Sequence, residues 1–162
     1  MRPTRYSTLV AVVVVLAVLV YVLAEVAYGS LPQPPVSAAV TVALLAMFEL
    51  ALAKVVRDRV QHRLDAQGRP PRRVLHPVQV ARAAALAKAS SLTGAVVLGA
   101  YGGLSAWTAP RSDVLAAASD DAPVAAATAV AGLLLVVCAL LLERACRVPE
   151  PPDDAAGLGS DA

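Results

Sequence analysis

Aromatic residues are nearly absent from this chain. One Trp, one Phe and four Tyr make up 4% of its 162 residues. Soluble cores of this size draw on more Phe, Tyr and Ile, so an ordinary aqueous core is excluded first. Cysteine is almost as scarce. Cys138 and Cys146 stand eight positions apart on one expected helix, about 12 Å along its axis, which forbids a disulfide between them. His62 and His76 have no Cys, Asp or Glu at ligand spacing, so no metal site is expected. No Gly-rich phosphate loop follows a strand and no catalytic constellation emerges. The expectation is a protein that is not an enzyme and has no cofactor.

What is present is aliphatic mass in long blocks. Hydrophobic residues reach 58%, almost all Ala, Val and Leu. Four blocks stand out, at residues 7–28, 36–56, 83–107 and 122–142. Each is long enough to cross a hydrocarbon core of about 30 Å as a helix. Lipid allows only helices or closed barrels, and no alternating barrel pattern occurs. The fold class expected is all-α: a polytopic, four-transmembrane-helix bundle over residues 1–147. The segment 148–162, rich in Pro, Asp and Gly, reads as a disordered acidic tail. Arg2 and Arg5 precede the first block as in a signal peptide, and Val22-Leu23-Ala24 resembles a cleavage site. The apolar run is longer than a signal core, however, and is read as an uncleaved span.

Charge is segregated along the chain, although its net value is only +2. Between Lys54 and Lys88 nine basic residues oppose Asp58 and Asp65, a net of +7, whereas Asp113, Asp120 and Asp121 oppose Arg111 in the loop 108–121. The positive-inside rule then places both termini and the basic connection 57–82 in the cytoplasm. The first turn, Gly29-Ser30-Leu31-Pro32-Gln33-Pro34-Pro35, cannot continue either helix and is expected to join two adjacent antiparallel spans. Span two is expected to run on as a cytoplasmic helix to about Leu64. Arg57, Arg59, Arg63, Arg69, Arg72 and Arg73 are the candidate contacts for anionic lipid headgroups. Nucleic acid is not expected, because no aromatic interleaving accompanies the charge.

Ionisable residues inside spans are the usual markers of function. Glu25, Lys54 and Arg82 lie near span ends and read as boundary residues that reach the interface. Glu49 and Lys88 lie deeper, about 10 Å and about 9 Å from the same side by helical rise. Matched depth on consecutive spans predicts a buried ion pair; the alternative is a proton- or ion-coupled site at Glu49. Ala87, Ser91, Ala95, Gly99 and Gly103, preceded by Ala83, form a small-residue stripe on span three. It reads either as packing against span two or four, or as the seam of a homo-oligomer. Cys146 is read as a packing residue; Arg144 and Arg147 beside it are charges of the sign that lowers a thiol pKa, and acylation as a juxtamembrane cysteine is the alternative.

Four motifs carry a family resemblance: Met1-Arg2-Pro3-Thr4-Arg5, Tyr28-Gly29-Ser30-Leu31-Pro32, Arg82-Ala83-Ala84-Ala85-Leu86-Ala87-Lys88-Ala89-Ser90 and Leu142-Glu143-Arg144-Ala145-Cys146-Arg147. Over roughly residues 1–150 the chain resembles the domain of unknown function 3180 family of actinobacterial integral membrane proteins. The family has no assigned activity or catalytic residues. Its members are often encoded near folate-biosynthesis genes, so the resemblance implies a membrane role near that pathway. Two functions stay open: a structural or accessory protein serving a membrane partner, and a small oligomeric transporter or channel-like protein using Glu49 and Lys88.

Overall fold

The computed structural model describes residues 6–61 and 77–146. Four long helices make up nearly all of it: α1 (Tyr6–Ala27), α2 (Val36–Gln61), α3 (Pro77–Thr108) and α4 (Ala116–Ala145). All four are long and apolar enough to cross a membrane. The protein is an all-α four-helix membrane bundle. In lipid a helix satisfies each backbone N–H and C=O within its own segment.

Prolines and side chains set the ends. A short 3-10 turn, Tyr28–Ser30, follows α1, and Pro32, Pro34 and Pro35 lie between it and α2. The Pro35 carbonyl accepts the first bond of α2, from the Ala38 N–H at 3.0 Å. α3 starts on Pro77, where a missing N–H is harmless. Its last residue, Thr108, returns its hydroxyl to the Leu104 carbonyl at 3.0 Å, and a second 3-10 turn, Ala109–Arg111, follows.

The helices overrun the hydrophobic blocks. α2 continues as a helix through Gln61, beyond the block's end at residue 56. α4 begins at Ala116 rather than residue 122, and Pro123 lies inside it. A proline forfeits one backbone bond there but does not start the helix. The tail 148–162 lies outside the described residues.

Contacts run in the order α1–α3–α4–α2: α3 packs along α1 and α4, and α4 also packs along α2. Among the described residues α1 and α2 do not pack on each other, so the proline turn joins helices that are consecutive but not adjacent. α2 and α3 meet only briefly. That meeting is at the end of the bundle where Ala53 and Val56 of α2, Ala87 of α3 and Leu142 of α4 form one apolar cluster.

Glycine makes the closest approaches. A Cβ on Gly94 of α3 would lie 2.9 Å from Val136 Cγ2 and 3.0 Å from the Gly132 carbonyl of α4. A Cβ on Gly132 would in turn lie 2.9 Å from the Leu98 nitrogen. On the other flank of α3, a Cβ on Gly99 would meet the Val13 carbonyl of α1 at 2.7 Å, and one on Gly103 would collide with the Ala17 carbonyl. Backbone cannot move aside as a side chain can, so these are fixed steric limits. Gly102, one residue away, has nothing within 4 Å.

This contrast sets a test. Gly103→Ala is expected to destabilise the bundle by about 1–3 kcal/mol, the usual range for overpacking. Gly102→Ala should be neutral or stabilising by up to about 1 kcal/mol, because alanine favours the helix. Thermal unfolding of both variants in the same detergent checks this; equal losses would contradict the α1–α3 contact.

Candidate functional site

One face of α2 turns inward at helical spacing through Ala46, Glu49, Ala53 and Val56, all buried. Three of the four are apolar and small or medium. The fourth is a carboxylate with 0% exposure. It lies between two apolar clusters. On one side are Ala46, Leu135 and Cys138, with Val42 against them. On the other is the Ala53, Val56, Ala87 and Leu142 cluster.

The layer around Glu49 is built by three helices. α3 brings buried Ser90 and Ser91, and α4 brings buried Cys138. The Ser91 hydroxyl donates to the Lys88 carbonyl of its own helix at 2.9 Å. Ser90 neighbours the carboxylate, and Cys138 lies within its electrostatic reach. Neither Glu49 oxygen, however, has a hydrogen-bond partner among the described residues. Buried carboxylates are ordinarily hydrogen-bonded, which makes this the most unusual polar group in the bundle.

The expected Glu49–Lys88 pair is not formed as a hydrogen-bonded contact. Lys88 is exposed, whereas Glu49 is interior and accepts no bond among the described residues. Depth along the chain was matched, but helix adjacency was not: α4 is the main neighbour of α2, and Ser90 rather than Lys88 turns inward on α3. Lys88 has interactions of its own.

The small-residue stripe lies inside the bundle. Ala87, Ser91, Ala95, Gly99 and Gly103 are all buried. Its Gly99–Gly103 portion receives α1, a neighbour that neither reading of the stripe named. Arg57 and Arg59 are on α2. Arg63, Arg69, Arg72, Arg73, His62 and His76 lie outside the described residues. Among the described residues no three His, Cys, Asp or Glu side chains could hold a metal ion.

The Cys146 thiol is not shifted in the direction that its basic neighbours in sequence favour. Burial, and then the charge of Glu143, push its thiol above the usual range rather than below it. Desolvation disfavours the thiolate and the neighbouring carboxylate repels it.

At the opposite end is a cluster that sequence reasoning missed. Glu25 Oε2 accepts from Trp107 Nε1 at 2.7 Å and from Arg111 Nη2 at 2.9 Å. Arg111 also donates to the Trp107 carbonyl at 3.1 Å, and its guanidinium sits 4.5 Å from the Trp107 ring centre. Tyr28 packs its ring against that of Trp107, 4.3 Å away and tilted by 33°, and donates its hydroxyl to Asp121 at 2.6 Å. The cluster ties α1, α3 and α4 together. A signal existed: the single Trp, a span-end Glu and the lone Arg of the acidic loop fall at one depth. At the other end Arg144 donates to the Tyr6 hydroxyl at 3.1 Å.

The family described as Protein of unknown function (DUF3180) matches residues 9–150. The chain belongs to the DUF3180 family. No curated protein and no solved structure matches it. Glu49, Ser90, Cys138 and the Glu25–Trp107–Arg111 cluster all fall within the DUF3180 match.

Two outcomes follow from these sites. A double-mutant cycle of Glu25→Gln and Arg111→Gln should give a coupling of about 0.5–1 kcal/mol, the range of partly exposed ion pairs; additivity would show that the clasp contributes nothing. In a Cys138→Ala variant, maleimide labelling of Cys146 should rise with pH only above the range of an ordinary thiol. A midpoint below that range would contradict the burial and Glu143 argument.

Proposed function

We propose that this DUF3180 protein is a non-enzymatic accessory component of the cytoplasmic (plasma) membrane that serves a partner at its basic, cytoplasmic end. One observation supports this most: where the small residues lie. Membrane helices associate through small residues, since lipid gives no hydrophobic drive between them. Gly94, Gly99, Gly103 and Gly132 all pack against other helices of the same chain. The outward faces of α1 and α2 instead carry bulky groups such as Val15, Leu19, Val26, Met47 and Phe48, which suit lipid.

Recognition chemistry is then concentrated where α2 ends and α3 begins. Lys54 and Arg82 are exposed there, and the basic connection adds further charge. Each such residue attracts anionic headgroups by about 1 kcal/mol and would attract an acidic partner surface equally. The folate neighbourhood implied by the family resemblance makes a protein of pterin or para-aminobenzoate metabolism the partner class to look for. Orientation with both termini inside rests on the positive-inside rule.

A second reading, an oligomeric transporter or channel-like protein, is favoured by the buried carboxylate of Glu49. Uptake into liposomes that disappears in Glu49→Gln would support it, and absence of any uptake would remove it.

The accessory reading is tested by purification in mild detergent. The wild type should retain a stoichiometric partner, and the Arg69→Gln, Arg72→Gln, Arg73→Gln triple variant should lose it while staying folded. Equal recovery from both would contradict the basic-end assignment. A reporter fused after residue 146 should act in the cytoplasm, and one inserted at 112–114 outside; the reverse would overturn the orientation.

A further inference from the structure

Glu49 has a chemistry that the partner-binding reading does not use. Its position on α2 is in register with Ala46, Ala53 and Val56, so an aliphatic residue would complete the stripe. A charged side chain in a membrane interior costs several kcal/mol unless it is paired, and an unmet hydrogen bond adds to the cost. Both oxygens lack a hydrogen-bond partner among the described residues. The charged form is therefore poorly supported by its surroundings, and a positive species must neutralise it.

The layer decides between a metal cation and a proton. Hard cations take six or more oxygen ligands. The helices around Glu49 present Ser90 and Cys138, while the Ser91 hydroxyl is engaged with its own helix. One further oxygen and one soft sulfur are a poor cation shell. A proton needs no shell: it sits on one carboxyl oxygen and leaves the other as an acceptor.

We propose that Glu49 is a protonation site inside the membrane, neutral in the resting protein and ionised only when the layer between α2, α3 and α4 opens. About 10 Å of helix separates it from the basic end. The cluster of Ala53, Val56, Ala87 and Leu142 fills that distance and forms the apolar plug that proton exchange must pass. Ser90 on α3 and Cys138 on α4 bear on Glu49; the nearest basic residues in sequence are exposed Lys88, two positions before Ser90, and exposed Lys54, five positions along α2. The site is the one the transport reading uses, but it does not require transport. Failed uptake with a persistent proton would remove that reading and leave this one.

A hydrophobic carbodiimide tests the site on the intact chain in liposomes. A protonated carboxyl adds its O–H across one N=C bond, and the resulting O-acylisourea rearranges to a stable N-acylurea. No atom is lost, so the peptide gains the mass of one carbodiimide. Glu49 should be the principal adduct at neutral pH, ahead of Glu25, and its labelling should fall as pH rises. Lys88→Met should label as the wild type does. Absence of a Glu49 adduct across the pH range would overturn the proposal. So would protection by sodium at constant ionic strength, which would indicate a bound cation. Stability gives an independent readout: Glu49→Gln, the neutral isostere, should melt at or above the wild-type temperature. A loss as large as that of Glu49→Ala would indicate an ionised structural carboxylate instead.

Discussion

Close backbone contact along α3 is the constraint on which the rest of the bundle depends. Between helices in lipid there is little hydrophobic gain, so association rests on packing and on a few hydrogen bonds. α3 supplies that packing on two flanks, through Gly94 against Gly132 of α4 and through Gly99 and Gly103 against α1. α4 then carries α2 through Leu135, Cys138 and Ala46. The contact order α1–α3–α4–α2 follows from where the small residues are, and not from which spans are joined by short turns.

That order explains the polar groups as well. At one end the Glu25–Trp107–Arg111 and Tyr28–Asp121 contacts connect α1 and its following turn to α3 and α4. Partly exposed pairs of this kind contribute little energy; they add polar contacts at the end of the bundle to the packing of α1 on α3. Glu49 is different in kind. It lies where α2 meets α4, with α3 contributing Ser90, and apolar clusters lie on both sides of it.

Much of this was legible in the residues. Four long apolar helices, an all-helical fold and the continuation of α2 beyond residue 56 follow from block length and charge. The stripe from Ala87 to Gly103 was visible as a packing surface, because small residues at every fourth position share one face. Its partner was not visible: a stripe says that something approaches closely but not which helix. The same limit affected Glu49 and Lys88. Depth can be counted along a helix, whereas rotation and neighbour order come from packing, so equal depth does not reveal that Glu49 is buried and Lys88 exposed. The Trp107 cluster needed three helix ends to be superposed, which no local pattern encodes. The apolar block starts at residue 122 because Asp120 and Asp121 interrupt the hydrophobic run, yet both are helical and α4 begins at Ala116.

The proposed protonation of Glu49 puts an uncharged carboxyl group in the interior of this bundle. Infrared spectroscopy of the protein in lipid measures it most directly, because the C=O stretch of a neutral carboxylic acid is separate from the bands of a carboxylate. At neutral pH the wild type should show one neutral-acid band that is missing from Glu49→Gln. A wild-type spectrum with carboxylate bands alone, with no neutral-acid band for the substitution to remove, would mean that Glu49 is ionised.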